Sequence, residues 1–456
     1  MLVLGALAVY FFLGRGGKEE QGLTSLDNTA LCRYQPPFIA PYWNISPDMQ
    51  HVASIEKRDD KKQRAVVDGT GGKEYSAISS PGVIFSPKGK RYAYAAHVDN
   101  EQQVAVVDGA EGPVYAGIGA GQPVFSPDGK RVAYMAGKGG EQFVVLDGTE
   151  GKHYKWIGAS APVFSADSKR LGYVAMQDEK QKRIVLDGVE GPEYEDIGRG
   201  QPVFSPDGKR VAYTGRRGGK WLPVVDEKEG KEYDDFGSGT LVFSADGKQF
   251  AFAAKHGEQW NVVLSGVEGK EYDALGELVF APQGTRLAYP ARRGKKWLVV
   301  SDDKEGKEYD GIGRPVFSPD GQHVAYSAQV AGKYVVVCDT QESPSYDQIS
   351  GLPVLSAEGK LAYTAARRGK QVVVIAGQES AEYDDAEPPV FGPDGRHLAF
   401  AAGRNGRWLL VADGHESPPF DSLLEGTRII FDDARIFHTL GIRNNTVVVV
   451  RMELGK

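Results

Sequence analysis

The nine residues Ser126-Pro127-Asp128-Gly129-Lys130-Arg131-Val132-Ala133-Tyr134 return letter for letter from Ser205 to Tyr213, and working outward from this pair exposes a long tandem repeat. Degenerate copies place the leading residue at Ser46, Ser86, Ser126, Ser165, Ser205, Ser244, Ala281, Ser318, Ser356 and Gly392, at intervals of 36 to 40 residues. A second anchor follows 27 to 29 residues behind the first: Tyr75, Tyr115, Tyr154, Tyr194, Tyr233, Tyr272, Tyr309, Tyr346, Tyr383 and Phe420. Two anchors in phase over ten copies exclude coincidence.

One copy reads as four short strands. In the copy that opens near Gln201, residues 202–205 form a brief apolar strand, and Pro206-Asp207-Gly208 forms a tight turn in which Gly takes positive φ without strain. Residues 209–214 alternate with period two, setting Val211 and Tyr213 against Ala212. A Gly-containing loop leads into residues 221–225, and a turn over residues 226–230 precedes a last strand over residues 231–236. Four strands in about 40 residues, with apolar middle strands, is the pattern of a β-propeller blade. A β-solenoid has shorter coils and lacks the two hairpins per repeat.

An eleventh copy over residues 428–453 lacks the Tyr-bearing fourth strand, which residues 24–33 are placed to supply, closing a ring and removing free sheet edges. The expected fold is therefore all-β, a propeller of about ten complete four-stranded repeats plus a shared eleventh. Because one propeller usually has four to eight blades, two tandem propellers of five to six blades are expected, residues 43–240 and 241–456, with one oversized ring as the alternative. The shortening of the repeat interval to 37 after Ser244 is the sole hint of a seam.

Composition agrees. The 456 residues include 58 Gly and 25 Pro, too many for a helical protein, and 41% hydrophobic residues, enough for a packed core. A net charge of −7 argues against a nucleic-acid binder. Residues 1–13 are apolar or small, short of the ~20 residues of a spanning helix, and are expected to be a signal anchor or its remnant. Residues 14–42 form an N-terminal extension. This places the bulk of the chain outside the cytoplasm, with a cytoplasmic location as the alternative. Cys338 lies in an apolar run and is expected to be a core thiol.

The Ser-Pro-Asp-Gly-Lys-Arg-Val-Ala-Tyr strings, with Ser318-Pro319-Asp320-Gly321 and Ala325-Tyr326, resemble the WD40-like repeat of TolB-type propellers, which also occurs in the propellers of prolyl-oligopeptidase-like enzymes. The resemblance covers residues 43–454 and implies a periplasmic protein-binding role without catalysis. This chain has many more blades and no obvious separate N-terminal domain.

Catalytic signatures are missing from the sequence. No Gly-x-Ser-x-Gly elbow, no paired zinc-ligand spacing and no phosphate-binding glycine loop occurs, so no enzyme activity and no cofactor or metal is expected. The eight histidines are scattered and read as surface or loop residues. Stretches such as Asp187-Gly188-Val189-Glu190-Gly191 read as hairpin turns in preference to calcium loops.

The candidate binding residues are basic and lie in the loops between second and third strands: Arg216, Arg217 and Lys220; Arg292, Arg293, Lys295 and Lys296; Arg367, Arg368 and Lys370; Arg404 and Arg407. The turns between third and fourth strands carry Asp226, Glu227, Glu229 and Glu232, or Asp302, Asp303, Glu305 and Glu308. One basic and one acidic rim are therefore expected. The basic one would capture an anionic protein partner through Arg forks, helped by exposed Trp221, Trp260, Trp297 and Trp408. The plainer reading is that loops are charged because they are wet and that the tryptophans pack between blades. The paired tyrosines, Tyr134, Tyr173, Tyr213, Tyr289 and Tyr326, are expected to pack between blades. A saccharide or peptide hydrolase or lyase working at the channel mouth, and a purely structural surface repeat, are the competing functional readings.

Overall fold

The computed structural model describes residues 23–455 apart from 27–28, 34–42, 59–61, 120–122, 159–160, 179–180, 199–200 and 238–240. The apolar segment 1–13 lies outside the described residues. Those residues form eleven antiparallel sheets and no α-helix.

Each sheet is a blade of four strands. In the fifth, the innermost strand is split into Asp196–Ile197 and Val203–Phe204, both paired with Val211–Arg217. Lys220–Val225 and then Lys228–Glu229 follow outward. The last strand differs from the expected 231–236. The chain leaves the blade after Tyr233, bridged to Trp221, and Asp235–Phe236 pairs instead with Lys255 and Ala254 of the sixth blade. The same crossing recurs in other blades, with Ile157 opposite Ala175 and Ile197 opposite Gly215, so the apolar residue three places after the anchor tyrosine seats in the next blade; here Phe236 stacks on Phe252 of the sixth blade at 4.8 Å and meets the ring of Tyr233 at 5.6 Å.

The repeated Ser-Pro-Asp-Gly turn closes the hairpin between first and second strands. Ser205 is fully buried, its hydroxyl donating to Asp207 Oδ1 at 2.6 Å and accepting the Arg210 N–H at 2.9 Å. Gly208, at φ +71°, donates its N–H to the Ser205 carbonyl, a conformation that L side chains avoid.

The core is distributed between blades. Edge-to-face tyrosine pairs such as Tyr194–Tyr213 and Tyr309–Tyr326, with centroids 6.0 and 6.2 Å apart, join one blade's outer strand to the next blade's second strand. Tyr134, Tyr173, Tyr213, Tyr289 and Tyr326 are all buried in clusters that join one blade to the next. Outer-strand tyrosines also reach forward: the Tyr272 hydroxyl donates to Glu305 at 2.9 Å and that of Tyr309 to Glu342 at 2.7 Å.

These contacts show no split into two tandem propellers. Tyr233, Phe252, Ala254 and Val263 pack the sixth blade onto the fifth across the expected seam. The eleventh blade packs onto the first through Leu424, Leu440, Ile442 and Val447 against Met49 and Val52. His438 Nε2 meets the Asp48 carbonyl at 2.7 Å, and Arg428 donates to the Pro47 carbonyl at 3.1 Å. A split would strip apolar faces at both places, because each blade buries its sides only against its neighbours. His438, expected at the surface, is 2% exposed.

Leu23–Ser25 and Thr29–Arg33 lie antiparallel on Thr446–Leu454, outermost in the eleventh blade. First and last segments of the propeller thus share one sheet.

Candidate functional site: the rim of second-to-third hairpin turns

The twelve basic candidates sit at or beside the turns between second and third strands, which emerge on the same rim as the links from one blade to the next. They do not form an open field of positive charge. Arg217 clasps Glu229 through two hydrogen bonds, 2.8 and 2.7 Å, and Arg404 clasps Glu416 through two of 2.7 Å. Arg293 pairs with Glu305 and Arg367 with Glu379, at 2.8 and 2.7 Å. Lys296 and Lys370 reach Asp310 and Asp384 at 2.6 and 2.5 Å; Lys220 pairs with Asp234, and Arg407 with Asp421 at 3.3 Å.

Arg216 and Arg292 instead lie over Trp221 and Trp297, with centroid distances of 5.9 and 5.8 Å. Of the twelve, only Lys295 and the side chains of Arg216, Arg292 and Arg368 make no carboxylate pair with a described residue. The tryptophans are half-buried, Trp408 packing against the core between the tenth and eleventh blades. They are platforms for neighbouring cations more than open surfaces.

The acidic rim does not stand apart either. Asp226 and Asp302 bond Arg210 and Arg286 of their own blades, each at 2.7 Å. Glu229 and Glu305 extend to the arginines already named. Arg293, then the Tyr272 hydroxyl and Lys270, hold the Glu305 carboxyl down to about 2, and Arg217 foremost lowers that of Glu229. Side chains long enough to span a narrow blade neutralise each other, so strand order alone overstated the charge separation.

A second set of carboxylates fixes the turns themselves. Asp234 takes Lys220 on Oδ1 and, on Oδ2, the Gly257 N–H of the next blade's turn at 2.8 Å; both interactions lower its pKa, Lys220 the more. The same bracket recurs as Glu195 to Gly218, Asp273 to Gly294, Asp310 to Ala331, Asp347 to Arg368, Asp384 to Asn405 and Asp421 to Asn444, at 2.6 to 2.9 Å. Seven consecutive turns, of blades five to eleven, are pinned by a carboxylate from the preceding blade. These residues were missed in the sequence, yet an Asp directly after the anchor aromatic at 233, 272, 309, 346, 383 and 420 is visible there.

The supposed calcium-like stretch is a hairpin turn: Asp187 and Gly188 both have positive φ, 53° and 82°, and the Asp187 carboxylate accepts the Leu171 N–H and pairs with Arg170. Among the described residues no group of three His, Cys, Asp or Glu side chains is placed to hold a metal ion. Cys338 is partly buried at its strand end, outside the fully buried core.

Radial four-stranded blades with pinned turns on one rim define a β-propeller of about eleven blades. No family model and no curated protein matches the sequence. Among solved structures it is similar to the crystal structure of the eukaryotic initiation factor, at 13% identity and TM-score 0.42, over 87% of this chain and 92% of that one. It is also similar to TolB from Acinetobacter baumannii, at 15% identity and TM-score 0.27, over 72% of this chain and 77% of that one. A third likeness is to the propeller domain of the Trilobed protease from Pyrococcus furiosus, at 15% identity and TM-score 0.28, over 58% and 94%. These likenesses concern repeated blades and carry nothing about activity or partner.

Proposed function

We propose that this chain is a non-catalytic, protein-binding ring, its recognition surface the rim of second-to-third turns. The observation that carries the reading is the series of seven carboxylate brackets. Turns held by the preceding blade lose little conformational freedom on binding, so a broad partner can be met without a large ordering cost. The unpaired cations on that rim, Lys295 and Arg368 with Arg216 and Arg292, favour an anionic partner, whose capture would weaken with salt.

The test is capture of a partner from an extract of the source cells at about 0.05 M and about 0.5 M salt. It compares the full chain with a variant carrying Arg292→Ala, Arg293→Ala, Lys295→Ala and Arg368→Ala. A partner retained at low salt by the parent only is expected; the same proteins on both chains at both salts would end the rim reading. The proposal also places the ring outside the cytoplasm, tethered by residues 1–13. Among the described residues no helix is long and apolar enough to cross a membrane. In intact cells with a permeabilised outer layer, added protease should degrade the ring; full protection would contradict the placement.

A further inference from the structure

A cavity of about 320 Å³ opens between the fifth and sixth blades, within the size range of small-ligand sites. The residue after the inner tyrosine is Met135 in the third blade and Val174 in the fourth, but Thr214 in the fifth. Thr214 matches Val174 in bulk and differs by a hydroxyl, which it brings to the lining.

The lining is mixed. Trp221 and Phe236 give aromatic walls, while Thr214, Asp235 and Gln201 give polar groups. Thr214 is 9% exposed and its hydroxyl has no hydrogen bond among the described residues. That is not the rule at this position, since the Thr364 hydroxyl of the ninth blade donates to the Glu387 carbonyl at 3.2 Å. Asp235 Oδ1 accepts the Phe236 N–H at 2.8 Å, and Gln201 Nε2 donates to the Ala161 carbonyl at 3.0 Å. Asp235 Oδ2 and Gln201 Oε1 are left as acceptors.

A wholly apolar ligand would leave these groups without partners. An anion would face the Asp235 carboxylate. A cation would meet the Arg216 guanidinium, which lies over the lining Trp221. A neutral ring with an apolar face for the aromatics and a rim of hydroxyls for Thr214, Asp235 and Gln201 satisfies every wall. We propose that this cavity binds a single neutral saccharide ring. The site borders the rim of turns and shares Trp221 with it, but takes its ligand between two blades and stands whether or not that rim binds a protein.

The experiment is saturation-transfer NMR on the full chain with three probes, methyl β-glucoside, methyl α-mannoside and N-acetylglucosamine, and cyclohexylmethanol as the apolar control. Two variants borrow residues from other blades: Thr214→Met, the residue of the third blade, to fill the space, and Trp221→Gln, as at Gln142. Saturable binding of at least one glycoside by the parent is expected, weakened roughly tenfold or more in either variant, with the control weaker still. Unfolding midpoints of the variants within a few degrees of the parent establish that the fold survives. If a variant does not meet that condition, Thr214→Val, the residue of the fourth blade, takes its place. No glycoside bound by the parent, equal binding of cyclohexylmethanol, or undiminished binding in the folded variants would each overturn the proposal.

Discussion

Glu305 serves two blades at once. Its carboxylate accepts from Arg293 of its own blade and from Tyr272 and Lys270 of the preceding one. Because the folded carboxyl titrates near 2 in place of 4.5, its stabilisation is whole above about pH 4.5 and drains away as pH falls toward 2. The Glu305→Gln variant should therefore show a shallower fall in unfolding midpoint over that interval than the parent. At neutral pH the loss should be at most about 1 kcal/mol, since the group is partly solvated. Thermal melts at half-unit pH steps would check this; parallel curves would mean that Glu305 is not selectively stabilised by its partners. The tyrosines of this network were legible in the sequence as blade-to-blade packing residues. Their carboxylate partners, 33 to 36 residues ahead, were not, because register between separate sheets is set by packing.

At the scale of the strand, the clasp formed by Thr29–Arg33 on Thr446–Leu454 offers a direct probe. Burial, with a smaller contribution from the Asp68 charge, pushes the Cys32 thiol up to about 11, so little reactive thiolate is present near neutrality. Cys338, in the eighth blade, is pushed up to about 11 by the same cause and serves as the internal control. Val447 stands opposite Cys32 and is fully buried. Val447→Asp should unzip the clasp and raise iodoacetamide labelling of Cys32 roughly tenfold or more at pH 8, with Cys338 unchanged, as read by peptide mass spectrometry. Acceleration of both thiols together would mean that the clasp opens only with the whole fold. Strand identities were largely readable from period-two alternation. The fourth strand was not, because the apolar residue three places after the anchor tyrosine, Ile197 or Phe236, seats in the next blade, a contact that alternation does not encode.

Over the whole molecule, the repeat disclosed the architecture and nearly every blade, but the grouping of blades lay beyond it. Nothing local distinguishes a blade that packs on its sequence neighbour from one that turns to close a shorter ring. The decisive contacts, Met49 with Leu424 or His438 with Asp48, join residues nearly a full chain apart. The basic rim was legible as positions and misjudged as a field, since lysines and arginines at one edge find carboxylates from the other.

The clasp also bears on how the protein is made. Strand 29–33 leaves the ribosome well before its partner, 446–454, which lies far downstream in the chain. At about 5–20 residues per second, translation keeps the first strand waiting on the order of tens of seconds. Through that interval the growing array carries a bare sheet edge at each end, and the nascent chain stays an open arc until residues 446–454 arrive.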